Sequence, residues 1–316
     1  MPLFCNLGTI EGIYGEGGKL MKDIMNIAVV NFESRWGDVQ SNLNRILGYV
    51  ESAAKRGADL IVFPEMALQG YEGDTAHEGH EQMHRRLAET VPGPSSEAVA
   101  EVTKKYGCYV IYGMSQKIGD KVYNGSAIVG PEGIIGSYQK IHLPWAESRW
   151  AERGNGPFMF DTPWGKIGVA ICYDLYAFPE ITRYYRYMGC RLCINPTAVD
   201  NYVTAKNVED AVEYLSANNC IYIASADGIG EYTYRPGGLI GGSHVIGPSR
   251  DVPKIQYYVG TPFTSEKAAE AEIHLGTIDL SYVEKPFLAK QFNHEDPDFR
   301  AELYVRMYQE IADMQK

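Results

Sequence analysis

The chain has 316 residues, of which 45% are hydrophobic and 22% charged. That is the make-up of an ordinary folded protein, and it excludes disorder as the main theme. The 29 Lys and Arg against 40 Asp and Glu leave a formal charge of −11, so no net positive field attracts phosphate backbones and nucleic acid is not an expected partner. The longest apolar runs, such as 61–63 and 167–172, fall far short of the ~20 residues that span a bilayer, so no membrane span is expected. The first 23 residues lack both a basic start and a continuous apolar stretch, which gives no support for secretion. The six cysteines are scattered through apolar, strand-like sequence, and a reducing cytoplasm suits them best.

From Met25 onward the pattern becomes regular. Residues 26–31 read as a short strand, apolar on both faces. Val39, Leu43, Ile46, Leu47, Val50, Ala53 and Ala54 then recur at helical spacing, and Gly57 stands where a left-handed C-terminal cap belongs. Residues 58–63 form a second strand, followed by a helix over 96–106 stopped at Gly107 and a strand over 108–113. Strands over 122–129 and 134–140 flank Gly130-Pro-Glu-Gly133, a composition that predicts an antiparallel hairpin. A strand over 164–172, a helix near 179–188, a strand over 191–195, a helix over 205–218 and a strand over 220–226 continue the alternation. Less regular strands near His244 and Thr277 and a terminal helix over 298–315 complete it. No Pro/Gly/Ser-rich linker interrupts the series. The expected organisation is an extension over 1–24, one α/β domain of mixed sheets covered by helices over 25–284, and a C-terminal tail over 285–316.

Three strands end in reactive groups. Residues 60–63 run into Pro64-Glu65, the strand holding Tyr138 runs into Lys140, and residues 167–171 run into Cys172. Taken singly, a strand-end Glu or Lys is an ordinary solvated tip and Cys172 an ordinary small core residue. Brought together by stacked sheets, they would form an acyl-transfer site. The carboxylate takes the thiol proton, the ammonium favours the thiolate and an oxyanion, and the backbone N–H of Tyr173 supplies a second oxyanion donor. Such a site calls for neither metal nor cofactor.

Phe63-Pro64-Glu65, Tyr138-Gln-Lys140-Ile-His-Leu-Pro144 and Gly168-Val-Ala-Ile-Cys172-Tyr-Asp174 with Phe178-Pro-Glu180 closely resemble the three motif blocks of the nitrilase superfamily, the carbon–nitrogen hydrolases. Residues 123–126, 195–197, 241–243 and 302–304 are similar to supporting segments of that family. The resemblance runs from about Met25 to Tyr304. It implies an αββα sandwich of two mixed β-sheets and a catalytic triad of Glu65, Lys140 and Cys172, with Tyr173, Asn195 and Thr197 in oxyanion or substrate binding. It also implies a second glutamate between the Lys and Cys blocks. Glu147 and Glu152 compete for that place, and the Glu-Ser context of Glu147 favours it. One departure stands out: family members commonly place four residues between the nucleophile and the Phe of Phe-Pro-Glu, whereas five lie between Cys172 and Phe178. An added residue is expected to rotate or bulge the first turn after the nucleophile.

The implied activity is hydrolysis of a linear carbon–nitrogen bond, carboxamide or N-carbamoyl. The alternatives are nitrile hydrolysis by the same triad and a non-catalytic binding protein on the same fold. Tyr173-Asp174 after the nucleophile resembles the amidase and carbamoyl-hydrolase branches rather than the Trp-Glu of true nitrilases. Arg149, Arg153, Arg183 and Arg235 are candidates to meet a substrate carboxylate. His80-Glu-Gln-Met-His84 fits the helical zinc pattern, but Gly79, Arg85 and Arg86 make a poor context for it and no metal is expected. Cys190-Arg-Leu-Cys193 precedes a strand rather than opening a helix and reads as packing. His142 reads as orienting the Lys140 loop. The resemblance further implies a homodimer or larger homo-oligomer, paired through the segment of Tyr184, Tyr185 and Tyr187 and through an aromatic tail holding Phe292, Phe299 and Tyr304.

Overall fold

The computed structural model describes residues 21–71, 80–200, 205–230, 238–249, 255–270, 272–283 and 299–315. In chain order the first half comprises β1 (Ile24–Val30), α1 (Val39–Lys55), β2 (Leu60–Val62), α2 (His80–Arg86), α3 (Pro94–Tyr106), β3 (Tyr109–Ile118), β4 (Lys121–Gly130), β5 (Gly133–Gln139), β6 (Phe158–Thr162) and β7 (Gly165–Val169). The second half comprises α4 (Tyr173–Tyr176), α5 (Pro179–Tyr187), β8 (Leu192–Thr197), α6 (Ala205–Asn219), β9 (Tyr222–Asp227), β10 (Ile229–Gly230), β11 (Leu239–Ile240), β12 (His244–Pro248), β13 (Ile255–Gly260), β14 (Ile273–Asp279) and α7 (Ala301–Met314).

These strands build two six-stranded sheets, ordered β14-β1-β2-β3-β4-β5 and β13-β12-β9-β8-β7-β6. Each has the same plan. Three parallel strands, β1-β2-β3 or β7-β8-β9, sit inside antiparallel neighbours. Parallel strands need crossover helices and are covered on both faces, which is why β1 reads as an unbroken apolar run. Its Ile27 and Val29 join Leu60, Val62, Ile167, Val169 and Ile194 in the core between the sheets. Ala28 and Val30 face the other way, onto Ile46 and Val50 of α1 and Val99 of α3. On the far side, Ile181 and Tyr185 of α5 and Val208, Val212 and Leu215 of α6 cover the second sheet. The order is therefore helix, sheet, sheet, helix, as the family resemblance implies.

Helix ends follow the expected local signals. Asp38 accepts a hydrogen bond from the Ser41 N–H to cap α1, and Gly107, at φ +71°, ends α3 in the left-handed conformation that favours glycine. The 130–133 turn joins β4 to β5 in antiparallel register. Several strands differ from the sequence reading, and β6, β10 and β11 have no counterpart in it. The strand read over 164–172 is the shorter β7, because Pro163 and Trp164 form the turn of a hairpin with β6. It ends at Val169, with Ala170 and Cys172 still donating backbone hydrogen bonds to β8 as the chain turns toward α4. β13 is an edge strand of half-exposed residues, so it carries little apolar signal.

Candidate active site

Both sheets deliver a strand end to one place, and β8 ties them together. The Glu65 N–H donates to the Thr197 carbonyl (3.3 Å), and the Cys172 N–H donates to the Pro196 carbonyl (2.9 Å). The chain from Pro64 to Met66 lies directly on β3 at Gly113, where a Cβ would stand 2.3 Å from the Met66 nitrogen and 2.4 Å from the Pro64 oxygen. Glycine is required there by backbone contact. Met66 and Cys172 both hold positive φ, +53° and +47°, a strained geometry for side-chain-bearing residues that clusters at functional sites.

Lys140 follows β5 and is fully buried. Its Nζ lies 2.7 Å from Glu65 Oε1 and 2.9 Å from Glu147 Oε2. Glu147 comes from a 3-10 turn, Trp145–Arg149, whereas Glu152 lies on the surface facing Lys121. The structure thus brings Glu147, and not Glu152, to the lysine. Asn124 of β4 locks the group: its side-chain amide nitrogen donates to Glu65 Oε1 (2.6 Å) and to Glu147 Oε1, and its backbone carbonyl accepts from the Lys140 backbone N–H (2.8 Å). Sequence reasoning picked out the 123–126 segment without assigning Asn124 a task; a polar residue amid an apolar strand was the available signal.

The electrostatics follow from burial and proximity. Burial alone would discharge Lys140, but the Glu147 and Glu65 carboxylates, with Cys172, outweigh it and hold the ammonium well above its ordinary pKa. Burial, opposed by Lys140 and reinforced by Glu65, lifts Glu147 to about 7. The Cys172 thiol is pushed up to about 12 by burial and then by Glu65, against the pull of Lys140, the Thr197 hydroxyl and the Ala198 backbone. The thiol is therefore held in its protonated form at neutral pH, beside Glu65 and the Lys140 ammonium.

A further buried carboxylate, Asp174, fixes the lysine loop to the turn after Cys172. Asp174 accepts from the Tyr138 hydroxyl (2.6 Å), the Ile141 N–H (3.0 Å), the His142 N–H (2.8 Å) and a ring nitrogen of His142 (2.8 Å). His142 also stacks on Phe178. It orients the loop, as expected, and Asp174 is the partner it works through. The backbone N–H of Tyr173 opens α4, where no earlier turn supplies an acceptor. Asn195 is fully buried and bonded within the scaffold: its amide donates to the Ala170 carbonyl (2.8 Å), and its oxygen accepts from the Ser225 hydroxyl (3.3 Å). Thr197 lies closer to the chemistry, beside the thiol.

Five residues separate Cys172 from Phe178. α4 is a single closed turn, and Phe178 then caps α5. Arg149 and Arg153 are exposed, Arg183 lies over Phe299, and Arg235 lies outside the described residues, as do Phe292 and the side chains of His80 and Glu81. His84 is buried and stacks on Trp150 at 4.2 Å. Among the described residues no cluster of three or more His, Cys, Asp or Glu is disposed to hold a metal, and no helix is long and apolar enough to cross a membrane. Cys190 and Cys193 are packed in the core under α5 and α6.

Residues 26–282 match the model of the carbon–nitrogen hydrolase family. The chain belongs to that family. Among curated carbon–nitrogen hydrolase relatives, it is 29% identical over 285 residues to a nitrilase of Pyrococcus abyssi, covering 90% of this chain and 100% of that one. It is 29% identical over 253 residues to the omega-amidase NIT2 of Danio rerio, covering 77% and 84%. The fold matches the crystal structure of an amidase from Nesterenkonia sp. with a TM-score of 0.71 at 21% identity, over 92% of this chain and 99% of that one. The architecture is that of the nitrilase superfamily.

Proposed function

We propose that this carbon–nitrogen hydrolase is an amidohydrolase acting on a small carboxamide or N-carbamoyl substrate through a thioester on Cys172. The observation that carries this reading is the buried Lys140 ammonium gripped by both Glu65 and Glu147, with the charges of Glu65 and Lys140 acting on the neighbouring thiol. Glu65 takes the thiol proton as Sγ attacks the carbonyl carbon. Lys140 and the Tyr173 N–H stabilise the tetrahedral oxyanion, and Glu65 passes the proton to the departing ammonia or amine. Water, deprotonated by Glu65, then attacks the thioester carbonyl, the C–S bond breaks to release the acid, and Glu65 returns that proton to the Cys172 sulfur. Glu147 holds Lys140 and faces the substrate's nitrogen side, Thr197 supports the thiol, and Asn195 positions β8 against the nucleophile strand.

Related proteins support an amide. Solved forms of the Nesterenkonia amidase hold acrylamide and butyramide, and one carries an acetamide moiety on its active-site cysteine. Nitrile hydrolysis is the second reading, favoured by the Pyrococcus relative's name and opposed by Tyr173-Asp174 after the nucleophile. The buried thiols suit a cytoplasmic setting. Assembly as a homodimer or larger is supported by an aromatic surface of α5 and α7, treated in the Discussion.

Ammonia release from a panel of primary amides and carbamoyl amino acids, with matched nitriles alongside, is the direct test. Cys172→Ala is expected to abolish release while leaving the circular dichroism spectrum unchanged; retained turnover would sink the mechanism. Faster acid formation from a nitrile than from its amide reverses the choice between the two substrates.

A further inference from the structure

The sulfur of Cys172 has a neighbour that the steps above leave unused. Tyr176 stands four residues on, one helical turn along, with its hydroxyl 3.9 Å from Sγ. Its ring meets Tyr173 edge-on at 5.7 Å and packs against both the inter-sheet core and the core beneath α5 and α6, so the phenol is held in place rather than swinging in solvent. The Ala177 N–H closes the turn onto the Tyr173 carbonyl (3.1 Å), which completes α4 before Phe178 begins α5.

We infer that Tyr176 is a further catalytic residue, whose phenol hydrogen-bonds the Cys172 sulfur in both protonation states and stabilises the thiolate as it forms. This rests on Cys172 being the nucleophile of the proposed reaction. In the resting enzyme the S–H donates to the phenol oxygen. As Glu65 accepts the thiol proton and the sulfur lone pair moves onto the carbonyl carbon, the phenol O–H turns and donates to the sulfur. A bond to an ionised partner is roughly twice as strong as a neutral one, so exchanging the first for the second favours the thiolate. The other groups acting on the sulfur are Glu65 from the end of β2, which opposes its ionisation, and Lys140 beyond β5, the Thr197 hydroxyl on β8 and the Ala198 backbone, which favour it. Glu147 acts through Lys140. Burial keeps the phenol itself neutral, so it remains a donor throughout the working pH range.

The test reads the thiol directly. The full-length protein is alkylated with iodoacetamide at several pH values from 7 to 9, and the rate at Cys172 is followed by peptide mass spectrometry for the parent and for Tyr176→Phe. The expected result is a rate about tenfold lower at each pH, equivalent to a thiol pKa raised by about one unit, with kcat on any accepted amide lowered about tenfold and KM within about twofold. A purely packing role would lower the melting temperature and leave the alkylation rates at parental values, and coincident rates overturn the inference. If the Phe variant does not fold, 3-fluorotyrosine placed at 176 supplies a more acidic donor, and unchanged alkylation rates with it overturn the inference equally. Alkylation requires no substrate, so a parent that turns over no amide counts against the proposed reaction and not against the role of Tyr176.

Discussion

Two regions of the molecule invert the usual rule of burial, and they do so in opposite ways. At the strand ends, Lys140, Glu65, Glu147 and Asp174 put charge in the interior. On the outer face of α5 and α7, Tyr184, Tyr187, Leu303, Val305, Met307 and Tyr308 put large apolar groups in solvent. The interior group is complete within one chain: Lys140 has two carboxylates, Asn124 bridges both, and Asp174 has four donors. The surface group is not. α7 has no buried residue at all, and its inner edge meets α5 around a cleft of about 690 Å³ lined by aromatic residues, including Tyr187, Tyr214 and Tyr304. Buried charge persists only where partners are supplied, and an exposed apolar patch of this kind marks a surface that another molecule covers. One irregularity is met by partners inside the chain; the other is the face that the proposed pairing would cover.

The interior half of this comparison breaks most sharply at its cation. Lys140→Met leaves two buried carboxylates facing each other with no counter-charge. The expected outcome is a fall in kcat/KM of at least about 1,000-fold, because an oxyanion donor is lost, together with a stability loss of about 3–5 kcal/mol, because an uncompensated buried charge remains. Steady-state kinetics and urea unfolding read the two effects separately, and a stable variant with parental activity would show that the cluster is ornamental. Asp174→Asn is the next step down. One carboxylate oxygen becomes an NH₂ facing backbone donors, so the Lys140 loop loses its hold on the nucleophile turn. The expected loss is about 100-fold in kcat with secondary structure retained, since misplacement of about 1 Å is enough for that.

How far the site was legible beforehand divides along the same line. Glu65, Lys140 and Cys172 were readable because each ends a strand with a reactive group, and strand order in a layered fold brings such ends together. The helical periodicity of α1 and the glycine stop of α3 were readable for the same reason, as local signals. Asn124, Asp174 and Tyr176 were not given roles, because their significance lies in partners 23 to 59 residues away or, for Tyr176, in a hydroxyl set 3.9 Å from the sulfur. The tyrosine run on α5 was only half resolved. Tyr185 packs against Gly168, where a Cβ would stand 2.5 Å from its ring, and donates to the Val169 carbonyl. Tyr184 and Tyr187 remain exposed. Helical spacing places these residues around a turn, but only the position of the sheet beneath says which one is core.

The surface half is tested by charge. Tyr187 is about half exposed, touches Phe299 at 5.5 Å between ring centroids, and belongs to the face expected to pair with a second copy. Tyr187→Glu introduces a desolvation cost on both sides of a two-fold contact. The expected outcome is dissociation that weakens the assembly by at least tenfold in Kd, read by light scattering across a dilution series, with the circular dichroism spectrum unchanged. A parent that is already a 35.2 kDa species at micromolar concentration and fully active would remove the surface from this comparison and leave the exposed aromatics without an occupant.

The finest probe returns to the interior and uses pH. Glu147 is lifted from an ordinary 4.5 to about 7, chiefly by burial. A carboxyl group with a raised folded-state pKa binds its proton more tightly folded than unfolded. Its favourable contribution is therefore fully present below about 4.5 and is lost as pH rises through about 7. Glu147→Gln keeps the shape, removes the titration and leaves Lys140 paired with Glu65 alone. Relative to the parent, this variant is expected to gain about 1–3 kcal/mol of stability between pH 5 and pH 8, whatever its activity, as read by urea unfolding at each pH. A stability difference that stays flat across that range, or that falls as pH rises, would mean that Lys140 already satisfies Glu147 as a full carboxylate. The single Lys140 ammonium would then serve two carboxylates at once, with no proton held on Glu147.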